Sequence, residues 1–75
     1  MSQINLEQII SIISINAGIP KKDISINSTS NDFDKWDSLA HVKISIEVEK
    51  ITKQKIPTSK MGELTSVKSI LNYFK

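Results

Sequence analysis

The residues best able to do chemistry stand together in one stretch, Lys35-Trp36-Asp37-Ser38-Leu39-Ala40-His41-Val42. A hydroxyl follows a carboxylate at the start of an apolar segment. One reading is purely local: Asp37 is a good N-cap, and Asp-Ser is a common way to begin a helix. The other is that Ser38 is a hydroxyl displayed for covalent attachment. A serine in a first helical turn points outward, and a phosphate ester formed there is favoured by the unpaired N–H groups and the macrodipole of the helix. In either reading Asp37 caps the helix, and it is not a general base. No nucleophile–base pair supports a catalytic function. His41 lies one turn beyond Ser38 and reads as a solvated helix residue, with phosphate contact the lesser alternative. Trp36 reads as a packing residue beneath a loop, with a partial role in framing the serine.

The rest of the composition narrows the chemistry. The chain has 75 residues, enough for a single domain over 1–75 with one modest core, and so for a stability of a few kcal/mol. It has no cysteine, which removes disulfides, thiolate nucleophiles and cysteine-based zinc sites. One histidine does not make a histidine-rich metal site, and two glycines do not make a phosphate-cradling loop. Ten Lys+Arg against eight Asp+Glu give a formal charge of +2, and the lysines are scattered, so nucleic acid is not an expected partner. No run is long enough to span a membrane, and the N-terminus lacks a basic-then-apolar leader. The expectation is a cytoplasmic monomer with no membrane partner.

Five segments must position the stretch. A first helix is predicted over 5–16, where Asn5 and Gln8 have the capping-box spacing and Leu6, Ile9, Ile10 and Ile13 recur on one face. Ile12 and Ile15 widen that stripe, and Gly18 then Pro20 stop it. Residues 17–37 show little periodicity and form a long, turn-like connection in which Ile19, Ile24 and Ile26 can anchor to a core. Over 42–49 apolar and polar residues alternate, which by period alone is a β-strand. As a helix the same segment carries two apolar stripes: Leu39, Val42 and Ile46 on one side, Ile44, Val48 and Ile51 on the other. Ile56-Pro57 ends it, residues 58–61 suit one short turn, and Thr65 is expected to cap a last helix over 66–74. Val67, Ile70, Leu71 and Phe74 form its apolar face, and Lys75 suits its C-terminus. Met61 and Leu64 read as core or pocket-lining residues.

At Asp37-Ser38-Leu39 the sequence resembles the acyl carrier and peptidyl carrier proteins. The likeness covers nearly the whole chain: an apolar first helix, a long loop, Asp-Ser-Leu, then Ile56-Pro57 at the expected distance, a short segment, and a last helix beginning Thr65-Ser66-Val67. The resemblance implies an all-α four-helix bundle of the acyl-carrier-protein type, with three main helices, one short helix and a long loop between helices I and II. It therefore favours helix over strand at 42–49. It implies that Ser38, with Asp37 and Leu39 beside it, carries a 4′-phosphopantetheine arm taken from coenzyme A, and that Asp37 helps orient the transferase's metal or the arm. Such a protein does no chemistry itself; it holds an acyl or aminoacyl group as a thioester and raises its effective concentration at successive enzymes. The implied partners are a phosphopantetheinyl transferase, an acyl- or aminoacyl-loading enzyme and a downstream acyl-transfer enzyme.

Two departures point to a specialised pathway. General fatty-acid carriers are acidic along helix II, whereas here His41, Lys43 and Lys50 stand beside Glu47 and Glu49. Trp36 directly before Asp-Ser-Leu is more like peptidyl carriers and stand-alone carriers. If helix II packs through Ile44, Val48 and Ile51, then Leu39, Val42, Lys43 and Ile46 remain to meet partner enzymes. The alternative is a non-enzymatic helical interaction module, including a carrier that never receives an arm. A helix-turn-helix DNA binder fits poorly, because no helix concentrates Lys or Arg.

Overall fold

The computed structural model describes residues 4–74. Among them are four α-helices: α1 Leu6–Ala17, α2 Ser38–Thr52, α3 Thr58–Met61 and α4 Val67–Tyr73. No strand is present among the described residues; Thr29 and Ser66 form one isolated antiparallel bridge. The protein is thus an all-α small domain in the described part. The expected role of Lys75 lies outside the described residues.

Helix α1 begins where the sequence signal placed it. Asn5 Oδ1 accepts from the Gln8 N–H at 2.8 Å, and Gln8 Oε1 accepts from the Asn5 N–H at 3.0 Å. Gly18 ends the helix at φ 70°, a conformation that costs glycine little, with its N–H donating to the Ser14 carbonyl at 2.9 Å. Ile9, Ile12 and Ile13 are buried, while Leu6 and Ile10 pack half-buried against the core. Ile15 departs from the expected stripe: it is 78% exposed, because the stripe that meets α2 and α4 is narrower than the run of isoleucines.

Helix α2 replaces the strand that alternation alone suggested. At 100° per residue, positions two apart fall on nearly opposite sides, so the alternating apolar residues divide between two faces. Ile44 and Val48 are fully buried and Ile51 is half-buried, whereas Leu39, Val42 and Ile46 face outward. Thr52 is buried with its hydroxyl donating to the Val48 carbonyl at 2.8 Å. Lys53 closes the helix at φ 57°.

The core gathers these faces with Val67 and Ile70 of α4, Phe74 at its C-cap, and Ile56 and Leu64 on either side of α3. From the long loop, Ile19 and Ile24 join it, but Ile26 does not; it lies in a turn, 39% exposed. The last helix starts one residue later than expected. Ser66, not Thr65, is its N-cap, accepting from the Ser69 N–H at 3.0 Å while Ser69 Oγ accepts from the Ser66 N–H at 3.1 Å. That leaves the Thr65 carbonyl free to accept from the Ser30 N–H at 2.7 Å, and the Ser28 carbonyl accepts from the Val67 N–H at 3.1 Å. These two bonds pin the middle of the long loop to the start of α4, so the loop delivers the chain to Asp37 along a fixed path.

Candidate functional site

The site is built at the N-terminus of α2. Asp37 has extended backbone and caps the helix: its Oδ1 accepts from the Ala40 N–H at 2.9 Å, and its carbonyl accepts from the His41 N–H at 2.9 Å. The Ser38 and Leu39 N–H groups, in the first turn, are left without helical partners. Ser38 is the first helical residue and is exposed. A hydroxyl on the solvent side, two free amides beside it and the positive end of a 15-residue helix make a place where a phosphate ester is favoured.

Beside Ser38 lies an open groove of about 570 Å³, lined by Ser30 and Asn31 of the loop, Val42 of α2, Thr58 and Met61 of α3, and Thr65. Trp36, Asp37, Ser38, His41 and Gly62 complete its wall. The groove therefore runs from Ser38 between the loop, α2 and α3. Trp36 is 3% exposed, a packing residue whose edge also frames the groove. Met61 is half-buried and lines the groove, whereas Leu64 belongs to the core.

His41 is not the solvated residue expected from its position. It is half-buried, and its ring is hydrogen-bonded at both nitrogens: the Trp36 Nε1–H donates to Nδ1 at 3.1 Å, and Nε2 meets the Met61 carbonyl at 2.8 Å. Helical periodicity carries no signal of this, because one partner lies before the cap and the other is twenty residues away.

The residues expected to meet partners share the outer face of α2. Leu39 is 66% exposed, Val42 45% and Ile46 44%, and Lys43 stands exposed among them. Lys50 is exposed on the same side, and Glu49 is half-buried with Oε2 accepting from the Ile56 N–H at 2.7 Å. The sequence thus grouped two sets that the structure also brings together, the Asp37-Ser38-Leu39 turn and the outer stripe. It missed the His41 link between them and α3.

No protein-family model and no curated protein matches this chain. No helix among the described residues is long and apolar enough to cross a membrane.

Proposed function

We propose that this protein is a carrier domain of the acyl-carrier-protein type, with Ser38 as the attachment point for 4′-phosphopantetheine. The observation that carries the reading is the exposed Ser38 hydroxyl in the first turn of α2, at the edge of a groove that can receive an extended arm. The residues fit the group. Ser38 supplies the oxygen, the Ser38 and Leu39 amides suit its phosphate, and the groove's hydroxyl and amide side chains with Met61 suit a chain of amides and methylenes. When bound, the arm supplies the thiol that holds an acyl or aminoacyl group, which agrees with a chain that has no cysteine. This chain's own residues hold and orient the arm; the transferase, the loading enzyme and the acyl-transfer enzyme do the chemistry. The order of helices, with three longer ones, a four-residue α3 and a long first loop, supports the same bundle type.

The outer stripe of Leu39, Val42 and Ile46 favours a second reading, an interaction module that binds a protein partner without carrying an arm. One experiment separates the two. The protein is incubated with coenzyme A, magnesium and a broad-specificity phosphopantetheinyl transferase, and its intact mass is measured beside a Ser38→Ala variant. Gain of one phosphopantetheine by the native protein alone is the expected result. No gain with several transferases, from a protein shown to be folded, would overturn the carrier reading in favour of the module.

A further inference from the structure

We infer that His41 is the positioning residue of the groove, a single imidazole held as one neutral tautomer that ties α3 to the entry of α2. The inference begins with what the two partners can do. An indole N–H only donates, and a backbone carbonyl only accepts. With Trp36 Nε1 at 3.1 Å from Nδ1 and the Met61 carbonyl oxygen at 2.8 Å from Nε2, both bonds form only if Nδ1 is bare and Nε2 carries the hydrogen. The charged ring has hydrogens on both nitrogens and loses the Trp36 bond. The Nδ1–H tautomer loses both.

The tie matters because of what it joins. Helix α3 has four residues, too few to be stable alone. Its own bonds are short-range: the Lys60 and Met61 N–H groups both donate to the Pro57 carbonyl at 2.9 Å. Met61 and Thr58 of this element line the groove with Ser38. His41 grips α3 at the Met61 carbonyl, sits on α2 one turn past Ser38, and takes its second bond from Trp36 on the loop. One ring thus spans the loop, α2 and α3 around the groove and sets how far they stand apart.

The functional consequence rests on the carrier reading: His41 fixes the groove into which the arm and its transferase must fit. It acts through α3 and Trp36, not through contact with reacting atoms. Loss of the tie therefore widens the ensemble of groove shapes and weakens productive engagement of Ser38.

The first test needs no variant. Nitrogen-15 NMR of the 75-residue chain reports the His41 ring and the indole N–H of Trp36, its one tryptophan. A ring fixed as Nε2–H, with the indole proton hydrogen-bonded to Nδ1, is expected. A ring protonated on Nδ1, or averaging between tautomers, overturns the tie. The second test compares loading of Ser38 by the transferase in three variants. His41→Phe removes both bonds and is expected to lower kcat/KM about tenfold, the effect of losing one or two modest hydrogen bonds, and mainly through KM. His41→Gln keeps a donor for Met61 and His41→Asn keeps an acceptor for Trp36, so each recovers part of the loss. A His41→Phe variant that loads like the native protein overturns the positioning role. If the native protein itself takes no arm, the carrier reading fails, and the ring measurement still decides the tie.

Discussion

Asp37 has two separable duties, and substitution can separate them. Its Oδ1 satisfies the Ala40 N–H, and its charge stands at the positive end of α2 beside Ser38. Asp37→Ala removes both and is expected to cost about 1 kcal/mol of stability, read as a lower denaturation midpoint at unchanged slope. Asp37→Asn keeps the cap, so its stability stays near the native value. If Asp37 orients a transferase's metal or the arm, the Asn variant still loads Ser38 more slowly; loading at the native rate would leave Asp37 a cap alone. At this scale much was legible. The Asn5 and Gln8 box follows from two side chains three residues apart, and the structure holds both bonds. Thr65 and Ser66 were not separable in the same way. Both are cap-forming residue types, and only the reciprocal bond with Ser69 and the pull of Ser30 on the Thr65 carbonyl decide for Ser66. His41 was illegible because its role is made by tertiary contacts that no local spacing encodes.

Helix α2 poses the problem of an element with two apolar faces. Its inner face holds Ile44 and Val48 in the core, and its outer face leaves Leu39 mostly exposed and Val42 and Ile46 nearly half exposed. The two faces predict opposite mutational behaviour. Ile44→Ala opens a cavity at a fully buried position and is expected to cost about 2–5 kcal/mol. That is a large share of the few kcal/mol available to a domain of this length. Leu39→Ala and Ile46→Ala should stay within about 0.5 kcal/mol of the native protein, since neither leaves a void. Their effect is expected on turnover by a partner enzyme. Chemical denaturation checks the first part and a loading assay the second; unfolding of the Leu39 or Ile46 variant would show that face to be core. The same duality explains why alternation over 42–49 misled. A period of two marks a strand only when one face is buried, and here a helix places alternate residues on opposed sides, both apolar. The resemblance to carrier proteins favoured helix where hydrophobic period could not.

For the whole molecule the question is how a chain only 30 × 23 × 18 Å in extent presents itself to a partner. The loop pinned to α4 leads into the N-terminus of α2, where Ser38 is exposed. The outer face of α2 combines a short apolar stripe with exposed Lys43 and Lys50. Half-buried Glu47 and Glu49 flank it, Glu49 accepting from the Ile56 N–H, and exposed Lys53 follows at the C-cap. The whole chain carries a formal charge of +2. A partner that docks on this face meets Lys43 and Lys50 beside an apolar centre, so acidic groups at that partner's rim would speed encounter. Association is therefore expected to weaken as salt rises from about 0.05 to about 0.5 M, since the screening length falls from more than 10 Å to a few Å. The loss should lie mostly in the association rate. Lys43→Glu and Lys50→Glu should flatten or reverse that dependence, whereas Leu39→Ala should lower affinity at every salt concentration and leave the slope alone. Stopped-flow binding to a loading enzyme distinguishes these effects. A rate insensitive to salt would mean that the lysines are only a solvated rim and that the apolar stripe alone selects the partner.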